Sequence, residues 1–254
     1  MNVTIIGGSG LIGRKLGPLL ERAGHRVVLA SPSQGVNTLT GEGLAQAVAG
    51  ADVVVDVSNS PSFEAQAVLQ FFRTSTTNLL AAEASAGVRH HVALSVVGAD
   101  RLADNGYMRA KVAQEALIQE GQVPYTIVRA TQFFEFLTAI AGDGAEGDGG
   151  ARVSSALFQP MAAADVAAGL ADVVSRAPRN AIVEIGGPQR LPMSRAVQRA
   201  LEAHGDARRV VPDAQAPYFG SVLDDASLVA GADAQLGATS LEAWLANIAR
   251  AGDR

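Results

Sequence analysis

The stretch Val3-Thr4-Ile5-Ile6-Gly7-Gly8-Ser9-Gly10-Leu11-Ile12-Gly13 decides the fold. A short apolar run ends on glycine, and apolar side chains then recur at Leu11, Ile12, Leu16, Leu19 and Leu20 with helical spacing. Strand, glycine turn and helix in that order predict a cradle for phosphate. Gly7, Gly10 and Gly13 let the chain turn sharply, let its backbone approach a pyrophosphate, and let the helix pack close to the strand. The start of the helix then offers unpaired N–H groups to the anion.

Outward from this stretch the helix stops at Gly24, with Pro18 as a local conflict inside it. Arg26–Ala30 predicts a second strand, Ser31–Gly35 a polar loop, Val36–Leu39 a short third strand and Leu44–Val48 a brief helix. Asp52–Val57 is nearly all apolar, the pattern of a strand covered on both faces. A helix over Phe63–Ala86, a strand over Val92–Val97, a helix over 105–120 and a strand over Tyr125–Val128 follow. This alternation predicts an α/β fold: a doubly wound parallel sheet built from right-handed βαβ units. Residues 1–135 are assigned to this Rossmann core. Residues 136–254 are assigned to a small C-terminal, substrate-side lobe with elements returning to the core. In that part, helices are expected over Ala163–Ser175, after Pro192 and over Leu241–Ala251, with strands over Ala181–Ile185 and Arg209–Val211. The glycine and acid run Gly142–Gly150 reads equally as a solvated connection or as a lid.

Composition narrows the chemistry. The chain has 254 residues, is 48% hydrophobic and 18% charged, and so describes a globular protein with a core to bury. A net charge of -5 argues against nucleic acid, whose phosphates need a basic surface. The absence of cysteine excludes disulfides and thiolate chemistry, and the four histidines show no metal-binding spacing. His90 and His91 are expected as strand-entry residues near the surface. No targeting or membrane-spanning segment is read, so a cytoplasmic monomer or homodimer acting on a small molecule, with no membrane partner, is expected.

Ligands of doubly wound sheets sit beyond the carboxyl ends of the strands, which picks out Gly7–Gly13, Ser31–Gly35, Ser58–Ser62 and Ser95–Asp100 as walls. Ser95 ends one such strand. Tyr107 and Lys111 share a helix face four residues apart. A tyrosine of pKa about 10 must fall by roughly three units, about 4 kcal/mol, to exchange a proton near neutrality. A neighbouring ammonium supplies such a shift, and a serine hydroxyl holds the substrate oxygen. Of the 20 basic residues only Lys15 and Lys111 are lysine, so arginine is the chain's ordinary cation and Lys111 stands out.

GGSGLIG after a first strand, Ser95, Tyr107-Met108-Arg109-Ala110-Lys111, and Val123–Phe133 together resemble the atypical short-chain dehydrogenase/reductases of the NmrA-like group. The likeness extends to Gln159–Ala167. It implies a nicotinamide cofactor, with Tyr107 and Lys111 as proton-transfer pair and Ser95 as substrate anchor. Many relatives in that group lack the tyrosine, and some bind the cofactor as sensors without turnover. Retention of all three residues points to an oxidoreductase moving hydride between nicotinamide and a carbonyl or alcohol. A cofactor-sensing regulator is the alternative.

Expected cofactor contacts are Gly7, Ser9, Gly10, Leu11, Ile12, Gly13, Arg14, Ser31, Ser33, Ser58, Asn59, Ser60 and Lys111. An NAD-specific chain places an acid about 20 residues past the fingerprint, for the ribose hydroxyls. Ser31 takes that place, with Ser33 nearby and no acid between Glu21 and Glu42. Arg14 and Lys15 in the first helical turn gain from an adjacent anion, or else simply face solvent. NADP(H) is therefore favoured over NAD(H). Asn59 and Ser60 either meet the cofactor or only start the next helix. Phe133, Phe134, Phe136 and Met161 are expected to roof the substrate, which suits an apolar or aromatic carbonyl. No metal is expected.

Overall fold

The computed structural model describes residues 1–143 and 150–252. Its elements begin β1 (Asn2–Ile6), α1 (Gly13–Arg22), β2 (Arg26–Ala30), α2 (Leu44–Val48), β3 (Val53–Asp56), α3 (Ala65–Ala86), β4 (His90–Val96), α4 (Gly106–Glu120) and β5 (Tyr125–Ala130). They continue α5 (Leu137–Asp143), β6 (Ala151–Val153), β7 (Leu157–Phe158), α6 (Ala163–Val174), β8 (Ala181–Gly186), β9 (Leu191–Pro192), α7 (Met193–Ala203), β10 (Val210–Pro212), β11 (Gln235–Leu236) and α8 (Leu241–Gly252). The run considered as a lid lies, over 144–149, outside the described residues.

Seven strands form one parallel sheet in the order β2-β1-β3-β4-β5-β8-β11. Pairing places Ile6 opposite Ala30 of β2 on one side and opposite Asp56 of β3 on the other. The chain therefore leaves β1 in opposite directions across the sheet, and the carboxyl ends of β1 and β3 flank a topological switch point, where open α/β sheets bind ligands. The chain divides into two compact units, the first comprising Met1–Ala130 and Val166–Val183, the second Thr131–Asp165 and the residues from Glu184 onward. Within the second, β6 pairs with β10 and β7 with β9.

Val53, Val54, Val55 and Asp56 are all buried, as a strand covered on both faces requires. One core cluster joins Ile6, Val54, Leu79 and Val88 to Leu44 and Val48 of α2, each side chain contributing about 1.5–3 kcal/mol on burial. α1 runs unbroken through Pro18, which sits on its exposed side. The strand expected over Val36–Leu39 is a turn instead. The Asn37 side chain accepts from the Leu39 amide at 2.9 Å and its carbonyl from Gly41 at 2.9 Å, so local polar bonds replace a sheet ladder. β2 thus ends the sheet.

His90 and His91 also differ from expectation, being 3% and 0% exposed. His90 Nε2 meets the Thr126 hydroxyl at 2.9 Å, and His91 Nδ1 meets the Glu83 carboxylate at 2.8 Å. Each ring finds a polar partner inside, so it need not face water. Burial, aided by the charge of His91, holds His90 down at about 4 against 6.5 for an unperturbed ring. The unfolded chain therefore takes up this proton first as pH falls. The stability it represents, about 3 kcal/mol, is complete above pH about 6.5 and is lost towards pH about 4. Glu83, whose carboxyl burial holds above the usual range, works in the opposite sense. Urea unfolding of wild type and His90→Gln between those pH values separates the two, with a markedly flatter fall expected in the variant. Equal slopes contradict the assignment.

Candidate functional site

The glycine stretch leaves β1 and is wedged between the ends of two neighbouring strands. The Gly7 and Gly8 amides both donate to the Ala30 carbonyl at the end of β2, at 2.9 and 3.1 Å. Gly7 has φ +81°, and a Cβ there would lie 2.8 Å from the backbone of Val57 and Ser58 beyond β3. A Cβ on Gly13 would lie 2.6 Å from the Gly7 carbonyl oxygen and from Gly8 Cα. Only glycine allows this turn to close and α1 to pack against it.

α1 begins without a cap. Ile12 at its N-cap makes no side-chain bond, and its first turn holds no acid. By contrast Glu64 caps α3 and Asn105 caps α4 through their own side chains. Among the described residues the amides of Leu11, Ile12 and Gly13 find no backbone acceptor. Arg14 and Lys15 stand in the same turn, Arg14 exposed. An uncapped helix end carrying cations fits an anion.

Loops after the neighbouring strands complete this side. Ser31 directly follows β2, is 3% exposed, and bonds through its hydroxyl to Ser33 at 2.9 Å and to Gln34 at 2.8 Å. Beyond β3, the Asp56 carboxylate accepts from the Ser58 amide at 2.9 Å and from Gln114 at 3.0 Å. The Ser58 hydroxyl oxygen is buried without a partner, an orphan that a ligand's hydrogen-bonding group would satisfy. Asn59 is exposed, and Ser60 accepts from the Ser62 amide at 3.2 Å. The tight glycine turn, the free amides and the orphan hydroxyl together fit a dinucleotide with its phosphates at α1.

Among the described residues no hydrogen bond joins the three residues singled out for chemistry, although Tyr107 and Lys111 both lie against the Phe72 ring. Asn105 accepts from the Tyr107 and Met108 amides, fixing Tyr107 in the first turn of α4. Its phenol donates to Asn59 Oδ1 at 3.2 Å. Burial pushes this phenol up to about 12, the reverse of the expected lowering. The Lys111 ammonium donates to the Leu94 carbonyl at 2.8 Å and to Gln114, over the face of Phe72 at 4.3 Å. Burial brings Lys111 down to about 8 despite the opposing pull of Asp56 and Glu115. The Ser95 hydroxyl, 3% exposed, donates to Glu115 at 2.6 Å rather than standing free for a substrate oxygen. Glu115 is in turn gripped by Arg129 through two bonds of 2.9 and 2.7 Å, and Arg129 also reaches Asp100 at 2.8 Å.

Among the residues expected to cover a substrate, all in the second unit, Phe134 and Met161 are 2% and 1% exposed and belong to its core. Phe134 packs on Trp244 with ring centroids 5.4 Å apart. Phe133 and Phe136 stack at 5.7 Å, with Phe136 52% exposed. Sequence reasoning missed Asn105, Asp56, Gln114 and Glu115. A signal existed for two of them: Asn105 precedes a helix as an N-cap does, and Glu115 lies four residues beyond Lys111 on one face.

A family model described as NAD(P)H-binding matches residues 7–177. Among solved structures, the UDP-glucose 4-epimerase of Thermotoga maritima with UDP-glucose is 16% identical over 100% of this chain and 99% of that one, at TM-score 0.74. RMD of Pseudomonas aeruginosa complexed with NADPH is 14% identical over 98% and 97%, at 0.69. The Thermus thermophilus UDP-glucose 4-epimerase complexed with NAD is 15% identical over 100% and 94%, at 0.68. At such identities the likeness is one of fold. No curated protein matches the sequence.

Proposed function

The chain belongs to the NAD(P)H-binding family as an atypical short-chain dehydrogenase/reductase, and from that premise we propose that it is an NADP(H)-dependent reductase of small apolar or aromatic carbonyl compounds. The observation that carries the reading is the bond from the Tyr107 phenol to Asn59, on the loop that leaves β3 beside the Gly7 turn.

Gly7 to Gly13, with the free amides at the start of α1 and Arg14, would hold the pyrophosphate, and Ser58 to Ser60 the ribose and the ring end. When bound, the reduced nicotinamide supplies hydride to a carbonyl carbon. Tyr107 then gives its proton to the carbonyl oxygen. Burial raises the phenol to about 12, so it is protonated near neutrality and must be lowered by its surroundings to exchange its proton readily. Asn59 orients the phenol. Lys111, on the same helix, is a buried ammonium fixed by Leu94 and Gln114. Within the second unit Phe133 and Phe136 stack as an apolar pair, with Phe136 half exposed.

NADP(H) is favoured because nothing acidic follows β2 and Ser31 takes the place of the ribose-binding carboxylate. Ser31→Asp is expected to weaken NADP binding by about tenfold through repulsion of the 2′-phosphate, and to tighten NAD. Titrating both cofactors against both proteins checks it, and tighter NAD binding by wild type overturns the preference. A second reading, a cofactor sensor without turnover, draws on Lys111 and Ser95 being engaged elsewhere than at Tyr107. Screening aromatic ketones with NADPH separates the two. Saturable turnover supports the reductase, whereas tight cofactor binding with none supports the sensor.

A further inference from the structure

Inside the first unit a chain of hydrogen bonds runs from the end of β3 to Lys111. The ammonium, which can only donate, gives one N–H to the Leu94 carbonyl of β4 at 2.8 Å and one to Gln114 Oε1, and lies over the Phe72 ring at 4.3 Å. The Gln114 amide donates in turn through Nε2 to Asp56 Oδ2 at 3.0 Å. Asp56 Oδ1 accepts from the Ser58 amide at 2.9 Å. Asp56, Lys111 and Gln114 are all buried.

The amide in this chain has one workable orientation. A carboxylate only accepts and an ammonium only donates, so Gln114 must turn Nε2 to Asp56 and Oε1 to Lys111. Reversed, it would set donor against donor at the amine and acceptor against acceptor at the acid. The other charges around Lys111 are matched already. Glu115, on the same helix, is gripped by Arg129 of β5 and receives the Ser95 hydroxyl, while Glu83 of α3 bonds to His91 of β4. Among the described residues Asp56 meets no cation directly, which leaves its charge for Lys111. A buried amine on its own gives up its proton, and a nearby carboxylate retains it. For Lys111 burial is the larger influence, and Asp56 is the first of the charges that oppose it.

The geometry points to Asp56 and Gln114 as positioning residues that keep Lys111 a charged ammonium in a fixed place, the carboxylate acting on the amine through one oriented amide. The Tyr107 ring lies 6.1 Å from the same Phe72 ring, and a positive charge nearby favours release of the phenol's proton. Only this last task rests on the proposed reductase reading. The amide also fixes the outcome of Asp56→Asn. The new side chain keeps its Oδ1 on the Ser58 amide and turns its Nδ2 towards Gln114. Gln114 must then reverse, and its Nε2 faces an amine that can accept only when it is neutral.

The chain has two lysines, so the charge can be read directly. In protein labelled with carbon-13 at lysine Cε, an NMR pH titration follows Lys111, with Lys15 of α1 as internal reference. Wild-type Lys111 is expected to titrate near about 8. Asp56→Asn is expected to lower this midpoint by about one pH unit or more, and Gln114→Leu to lower it in the same direction. The alkaline limb of kcat for ketone reduction is expected to move down with it. Combining Asp56→Asn with Gln114→Glu exchanges amide and acid. The new carboxylate receives the ammonium, so the midpoint is expected to return to the wild-type value or above. Damage to packing alone is not repaired by such an exchange. Midpoints within about 0.3 pH unit of wild type in both single variants, or no recovery in the exchanged protein, overturn the inference. A shifted midpoint with an unshifted alkaline limb overturns the task given to the charge. A shifted midpoint with no ketone turnover by wild type overturns the reductase reading alone.

Discussion

Tyr107→Phe is expected to lower kcat for ketone reduction by about 10²- to 10⁴-fold while leaving the Kd for NADPH within about twofold. The phenol oxygen is the only atom removed, and its one hydrogen bond among the described residues is to Asn59, on the loop after β3. The glycine turn and the uncapped start of α1, proposed to carry the phosphates, do not involve it. Asn105 holds the first turn of α4 through the backbone amides of residues 107 and 108, so the phenylalanine ring keeps its place. Steady-state kinetics with a fluorescence titration of NADPH measures both quantities. Turnover unchanged in the variant removes Tyr107 from the chemistry, and a parallel loss of NADPH affinity makes it a binding residue.

Arg129→Met is expected to destabilise the fold by about 3–5 kcal/mol. The Arg129 and Glu115 side chains are 9% and 5% exposed, and their two bonds stand between β5 and α4. Removing the guanidinium leaves the Glu115 carboxylate buried, with the Ser95 hydroxyl as its remaining hydrogen-bond partner among the described residues. The arm to Asp100, whose side chain is 54% exposed, adds little because water screens it. Pairing Arg129→Met with Glu115→Leu removes both charges, and most of the loss is expected to return. Urea unfolding of the two proteins measures the difference. A single variant within about 1 kcal/mol of wild type shows that the pair is not the clamp described.

Periodicity made most of the first unit legible, because strands covered on both faces must be continuous apolar runs and the helices between them must stop at glycines such as Gly24 and Gly87. The failure at Val36–Leu39 came from side-chain chemistry. An apolar and polar mixture there matches a strand, yet Asn37 satisfies the local backbone by itself. His90 and His91 were misread for a related reason, since partners across the sheet and on α3 make burial of a polar ring tolerable. Residue types and spacing gave Tyr107 and Lys111 one helix face but not their partners. The direction of the Lys111 ammonium depends on Leu94 and Gln114, and that of the Ser95 hydroxyl on Glu115.

The most direct test of the proposed reductase chemistry is the fate of deuterium. The protein is incubated with an aromatic ketone and NADPH carrying deuterium at the transferable position of C4, and the product alcohol is weighed by mass spectrometry. One deuterium on the carbinol carbon is the expected result, absent from the Tyr107→Phe reaction over the same time. Tight NADPH binding with no labelled alcohol from any ketone contradicts it and leaves a protein that holds the cofactor without using it.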